Sequence, residues 1–294
     1  MASQIASFFT SNRYHDPLSH VELPFINQYV KPLYNNEVLD KHIHELVIII
    51  LGYHSIYVSS SIFAPLLFPN AFKTLSTKNK IDFHIHVVSM VQAILILFAI
   101  IPLFNDPILS EDRVFGYTPY GGLIATMALG YFLWDTIVSL VYVRYFGIGF
   151  LLHGIVSSAV FWIGIQPYIV HYAAIFILFE ISTPFLNLRW FGIRFPKLFP
   201  DWFNLVNNAI LILIFFFIRI CYGWYQAFQL GTDFYNASND ERFNLLYTIV
   251  IMGGNSVLNV LNLYWFYRMA KVAYAVIADM LSGGNEHDDA KKDI

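Results

Sequence analysis

Apolar runs of about 20 residues recur along this chain, the length needed to cross a hydrocarbon core of roughly 30 Å. Inside lipid every backbone amide must find its partner within the protein, so such runs fold as helices or close into a barrel. A barrel would show alternating segments of about ten residues, and none is visible. Only 13% of the 294 residues are charged, against roughly 25% in a soluble domain. That is too little charge to cover a soluble surface of this size. The expected fold is all-α, a polytopic bundle of transmembrane helices.

Seven spans are expected. They run from about Glu45 to Phe68, His84 to Phe104, Pro119 to Val143, Gly147 to Ile165, Tyr168 to Leu188, Phe203 to Leu230, and Phe243 to Arg268. Gln166-Pro167 separates the fourth from the fifth, since proline cannot continue a helix through its own missing N–H. The chain divides into a tail (1–44), a first helix with its loop (45–75), a main membrane domain (76–281) and a C-terminal tail (282–294). No short apolar segment near the start reads as a cleavable signal. The one cysteine, Cys221, excludes an internal disulfide.

Lys and Arg are retained on the cytosolic side of membrane proteins. Here Lys73, Lys78 and Lys80 follow the first span, Arg144 the third, Arg189, Arg194 and Lys197 the fifth, and Arg268 and Lys271 the seventh. The intervening loops hold only Arg113 and Arg242 among several acids. A cytosolic C-terminus follows, and seven spans put the N-terminus in the lumen. Arg13, Lys31 and Lys41 oppose that placement; a re-entrant first segment would give six spans and a cytosolic tail. Asn236-Ala237-Ser238 is a glycosylation acceptor in a loop assigned to the lumen. The last four residues carry Lys291 and Lys292 in a spacing similar to the dilysine signal by which coat proteins retrieve endoplasmic-reticulum membrane proteins.

Four stretches in order carry a family resemblance. Ser76–Ile96 ("STKNKIDFHIHVVSMVQAILI") resembles the opening of the TLC domain, shared by ceramide synthases, translocating-chain-associating proteins and ceroid-lipofuscinosis proteins. "GYFLWDT" (130–136), "FEISTPFLNLRWF" (179–191) and "LNLYWFYRMAKV" (261–272) resemble its later segments. The likeness is to the general TLC-domain group, its fungal members in particular, more than to the ceramide synthases. It implies a lipid-handling protein of the endoplasmic reticulum. Ceramide synthases carry His-His-x-x-Thr at the start of a span; here the corresponding run is His153-Gly154-Ile155-Val156-Ser157, with the second histidine replaced by glycine.

The third and fourth spans form a tight hairpin, which sets Asp135 and His153 at matched depth, roughly 9–12 Å inside the cytosolic end at 1.5 Å per residue. Glu180 on the fifth span lies at similar depth, and Ser157, Asn187, Asn207, Asn208, Asn259 and Asn262 complete the candidate set. Ionisable groups within a membrane face the bundle interior or a cavity and mark function, while amides also serve as interhelical hydrogen-bonding links. His84 and His86 read as interfacial, and Arg219 lacks an evident partner.

Three functions compete. The first is binding or handling of a membrane lipid in a cavity of the cytosolic half, in the service of lipid homeostasis. The second is acyl transfer from acyl-CoA, as substrate, with His153 as base and Asp135 as its orienter. The third is transport, for which neither an inverted repeat nor paired broken helices stands out. No cofactor, metal or nucleic acid is expected, and the oligomeric state is left open.

Overall fold

Seven helices account for the bundle in the computed structural model, which describes residues 15–33 and 36–281, with side chains of the last helix described as far as Ala278. They are α1 (Glu37–Leu67), α2 (Thr77–Ala99), α3 (Pro119–Val141), α4 (Ile148–Gly164), α5 (Val170–Arg194), α6 (Asp201–Ala237) and α7 (Leu245–Leu281). Six are long and apolar enough to cross a membrane; α4, with 17 residues, is the short one. No strand occurs among the described residues.

Local chemistry sets the helix starts. Asn36 accepts hydrogen bonds from Val38 N and Leu39 N, Ser76 from Asn79 N, and Thr118 from Gly121 N. Each satisfies amides that a first turn leaves without partners. The α3–α4 hairpin turns at Gly147, whose φ of 89° favours a residue without a Cβ. α5 is interrupted: Leu178–Ser182 is a 3-10 turn, immediately before Pro184 in the next helical turn. Proline there lacks the N–H that an unbroken α-helix would direct at Glu180 O.

α3 is the hub. It packs on α1, α4 and the first half of α5, while α4 packs on α7, and the second half of α5 packs on α2 and on the start of α6. Over half of the membrane-crossing window of α3 and of α5 is buried (56% each), against 11% for α1 and 17% for α7. The outer helices instead present Leu51, Ile62, Phe98, Leu213, Phe217 and Val260 outward, as a lipid-facing surface requires.

The helices outrun the expected spans. α1 begins at Glu37, eight residues before Glu45, because Asn36 caps it and Leu39, His42, Glu45 and Leu46 are buried. Hydropathy missed this turn since its buried face is partly polar. At 1.5 Å per residue the 31 residues rise about 46 Å, so α1 overhangs the hydrocarbon. α6 continues to Ala237, which places Asn236 on the exposed last turn of a helix and not in a loop. Lys291 and Lys292 lie outside the described residues.

Candidate functional site

A cleft in the bundle is bounded mainly by α4, α5 and α7, with Phe132 of α3 and Arg219 of α6 at one end. From His153 to Gly164 the α4 wall rises about 16 Å at 1.5 Å per residue. The cavity holds about 70 Å³, room for several waters and far below the roughly 300–1,000 Å³ of a drug-sized pocket. Its two ends differ in character. His153, Ser157, Glu180, Arg219 and Asn259 gather at one; Gly164, Ile169, Ala173 and Ile251 line the other.

Arg219 organises the polar end. Its Nε donates to Phe179 O (3.1 Å) and Ser182 Oγ (3.0 Å), Nη1 to Asn262 Oδ1 (3.4 Å) and Nη2 to Thr183 Oγ1 (3.4 Å). Nη2 also stands 3.9 Å from Glu180 Oε1, and the guanidinium carbon lies 5.2 Å from the centre of the Phe215 ring. A guanidinium carries five donors, and the broken turn of α5 supplies most of their acceptors. α6 meets it with a break of its own, since Phe215–Tyr222 is a π-helical stretch, a form frequent at functional sites.

Four of the candidate residues line the cleft: His153, Ser157, Glu180 and Asn259. His153 stands edge-on to Phe132 (5.7 Å) and Trp265 (5.5 Å), and its buried Nδ1 has no hydrogen-bond partner. Asn259 donates to Asn255 Oδ1 (2.8 Å), which also faces the cleft. The other five do not line it. Asp135 is half-buried on α3 within electrostatic reach of Glu180, and no hydrogen bond joins it to His153. Asn262 reaches the site only through Arg219. Asn187 bridges α2 and α5, donating to Ser89 Oγ (3.2 Å) and accepting from His86 Nδ1 (2.6 Å). Asn207 donates to Phe185 O (2.9 Å), and the Oδ1 of Asn208 is buried without a partner. Depth along a helix fixes height but not azimuth, which is why matched depth gathered more residues than the cleft uses. Along α4 the cleft extends as far as Gly164.

Gly154 answers the question of the missing histidine. A Cβ there would lie 2.6 Å from Thr136 Oγ1 and 3.2 Å from Thr136 Cα. The residue faces Thr136 on α3, where the hairpin closes so tightly that even a methyl group would force a shift. His153 is therefore a single histidine by packing as well as by sequence.

The remaining polar residues tie helices together. His84 Nδ1 meets Ser60 Oγ (2.8 Å), and His86 stacks on Trp190 (4.7 Å), whose Nε1 donates to Asp82 Oδ2 (2.6 Å). Both histidines are packed between helices in the first half of α2. At the opposite end Arg113 pairs with Asp233 (3.1 Å), and Arg242 with Asp112 (2.9 Å) and Asp240 (2.8 Å). Hydrogen bonds from the Arg242 guanidinium and backbone N–H hold the Asp240 carboxyl down to about 2.

Residues 82–271 match the TLC domain. The chain is 40% identical over 203 residues to an uncharacterised TLC domain-containing protein of Saccharomyces cerevisiae, covering 66% of this chain and 64%, a little under two thirds, of that protein. It is 30% identical over 247 residues to an uncharacterised TLC domain-containing protein of Schizosaccharomyces pombe (83% of this chain, 84% of that one). Topoisomerase I damage affected protein 4 of S. cerevisiae is likewise 30% identical, over 251 residues (82% and 87%). With the helical bundle, the ordered motifs and these likenesses together, the chain belongs to the TLC-domain family of membrane proteins.

Proposed function

We propose that the protein binds one membrane amphiphile in the α4–α5–α7 cleft and serves lipid homeostasis in the endoplasmic-reticulum membrane. The observation that carries this reading is the polarity gradient within a single narrow cleft. From Ser157 to Gly164 the apolar stretch rises about 10 Å, and a cavity of about 70 Å³ suits the end of one acyl chain, not its whole length. At the polar end Arg219 already faces Glu180, so no net positive charge is left to select an anionic head group. His153, Ser157 and Asn259 offer neutral donors and acceptors, which favours a hydroxyl- or amide-bearing polar end. The small volume favours a tip of that kind over a bulky head group.

Lipid recovered from detergent-purified protein tests this. Mass spectrometry is expected to find one lipid class enriched over bulk membrane, and Ala173→Trp, which fills the apolar end, should abolish the enrichment while the protein stays folded. A co-purified profile equal to the bulk membrane overturns the reading. The Lys/Arg alternation supports a cytosolic C-terminus, where Lys291 and Lys292 would meet the retrieval coat. A C-terminal tag protected from protease in intact microsomes would overturn that placement. Changing both lysines to Ser should let protein escape to later compartments.

One observation favours acyl transfer as a second reading: the unpartnered Nδ1 of His153 in the cleft, a free base position. Asp135 does not orient it, and Gly154 leaves no room for a second histidine. Fumonisin-sensitive acylation of a sphingoid base by purified protein would favour this alternative over binding alone.

A further inference from the structure

We propose that Asp16, His42 and Glu45 form a binding site for a divalent transition-metal ion, which fastens the segment preceding α1 to the bundle. One ligand-capable atom from each of the three lies within 4.8 Å of the others. All three residues are buried, with 3%, 0% and 0% of their surface exposed. Glu45 Oε1 receives no N–H or O–H donor from the protein, and the Asp16 carboxyl lies within hydrogen-bonding reach of Glu45. Two carboxylates brought together out of water need positive charge between them. Among the described residues no Lys or Arg pairs with either.

The geometry supplies the rest of a metal centre. His42 Nδ1 points at Glu45 Oε2 (2.8 Å), while Nε2 meets the Tyr117 hydroxyl (2.8 Å). With Nε2–H donating to Tyr117, Nδ1 presents its lone pair to the carboxylates, the tautomer a ligating imidazole requires. Small side-chain rotations would bring all three onto one ion at bonds of about 2.0–2.2 Å. A neutral imidazole, two carboxylates and a divalent cation sum to zero charge. The mixed nitrogen and oxygen set favours zinc, iron or manganese over magnesium or calcium. Asp16 belongs to the chain before α1, His42 and Glu45 to the overhanging start of α1, and Tyr117 to the loop before α3. An ion here would join all three. The ligands lie outside residues 82–271, and the site is independent of the lipid cleft.

Full-length protein carrying no histidine tag, purified from zinc-replete cells, tests the proposal by elemental analysis. About one zinc per folded chain is expected for the wild type, and a loss of most of it in Glu45→Gln and Asp16→Asn. Tyr117→Phe, which keeps every ligand but frees the imidazole, should weaken zinc affinity about 10–100-fold. Chelated wild type should regain a higher melting temperature on adding Zn²⁺ or Mn²⁺, whereas Glu45→Gln should not respond. Asp16→Asn leaves the sequence of every bundle helix unchanged, so it serves as the second variant should Glu45→Gln fail to fold. Wild type with under about a tenth of a metal per chain and no thermal response overturns the site and leaves a proton shared by the two carboxylates. Metal content unchanged in Asp16→Asn overturns it as well.

Discussion

Two clusters of buried charge sit at different heights in this bundle, and they reach electrical balance by different routes. Around Arg219 one cation meets Glu180, two hydroxyls, an amide and the Phe179 carbonyl. Around Glu45 two carboxylates and an imidazole meet with no Lys or Arg among the described residues. The first is closed by the protein's own groups; the second is left for something from solution. A buried ion is held by the count of oriented partners around it, and only the Arg219 cluster makes up that count internally.

Removing the cation should produce the largest effect. Arg219→Met leaves Glu180 buried without its counterion, and deleting one partner of a buried pair costs on the order of 3–5 kcal/mol. Loss of folded protein in size-exclusion chromatography is the expected result. The double change Arg219→Met with Glu180→Gln should recover much of it. Equal damage from single and double variants would show that hydrogen bonds to α5, more than charge, hold the cluster. At the other cluster the sign should reverse: in chelator, Glu45→Gln should melt no lower than the wild type, because it removes an uncompensated carboxylate.

Next in size is the α3–α4 contact. Gly154→Ala should cost about 1–3 kcal/mol by overpacking, read as a lower melting temperature, and Gly154→His more. Restoring the paired histidine of ceramide synthases should therefore reduce folded protein and create no activity. The smallest effect belongs to the exposed Asp240–Arg242 pair. Its carboxyl is held below the ordinary value, so its contribution is present above about pH 4 and is lost as pH falls through about 2. Asp240→Asn should match the wild type in salt-containing buffer at neutral pH within measurement, since exposed pairs contribute little. The difference in melting temperature should not grow between pH 5 and 8.

Hydropathy and loop charge made the helical class legible from sequence, because both are local and additive along the chain. Four motifs in order made the family legible. Within the site, His153 and Glu180 were readable as costly groups at one depth, yet Asp135 at the same depth turns aside from the cleft. Azimuth depends on how α3, α4 and α5 rotate against one another, and apolar sequences on all faces leave no stripe to fix that rotation. Arg219 stood out as a charge in an apolar run, but its acceptors come from the break at Ser182-Thr183-Pro184, some 36 residues away. The Asp16–His42–Glu45 cluster hid for a related reason. His42 and Glu45 are one turn apart and readable together, while Asp16 joins them across 26 residues only after folding.

The shortness of α4 has a consequence for the membrane around it. Seventeen residues rise about 25 Å, and while a long helix such as α6 can tilt to fit a given bilayer, a short one cannot lengthen. Ile148, Leu152, Ile155 and Trp162 face outward along it, so a bilayer thicker than about 25 Å would have to thin beside this helix to meet its ends. The required thinning is small in the endoplasmic reticulum, whose hydrocarbon is about 27 Å thick, and several times larger in a plasma membrane of about 32–33 Å. Each extra ångström costs a fraction of a kcal/mol, so a thicker bilayer would raise the cost of holding α4 across it.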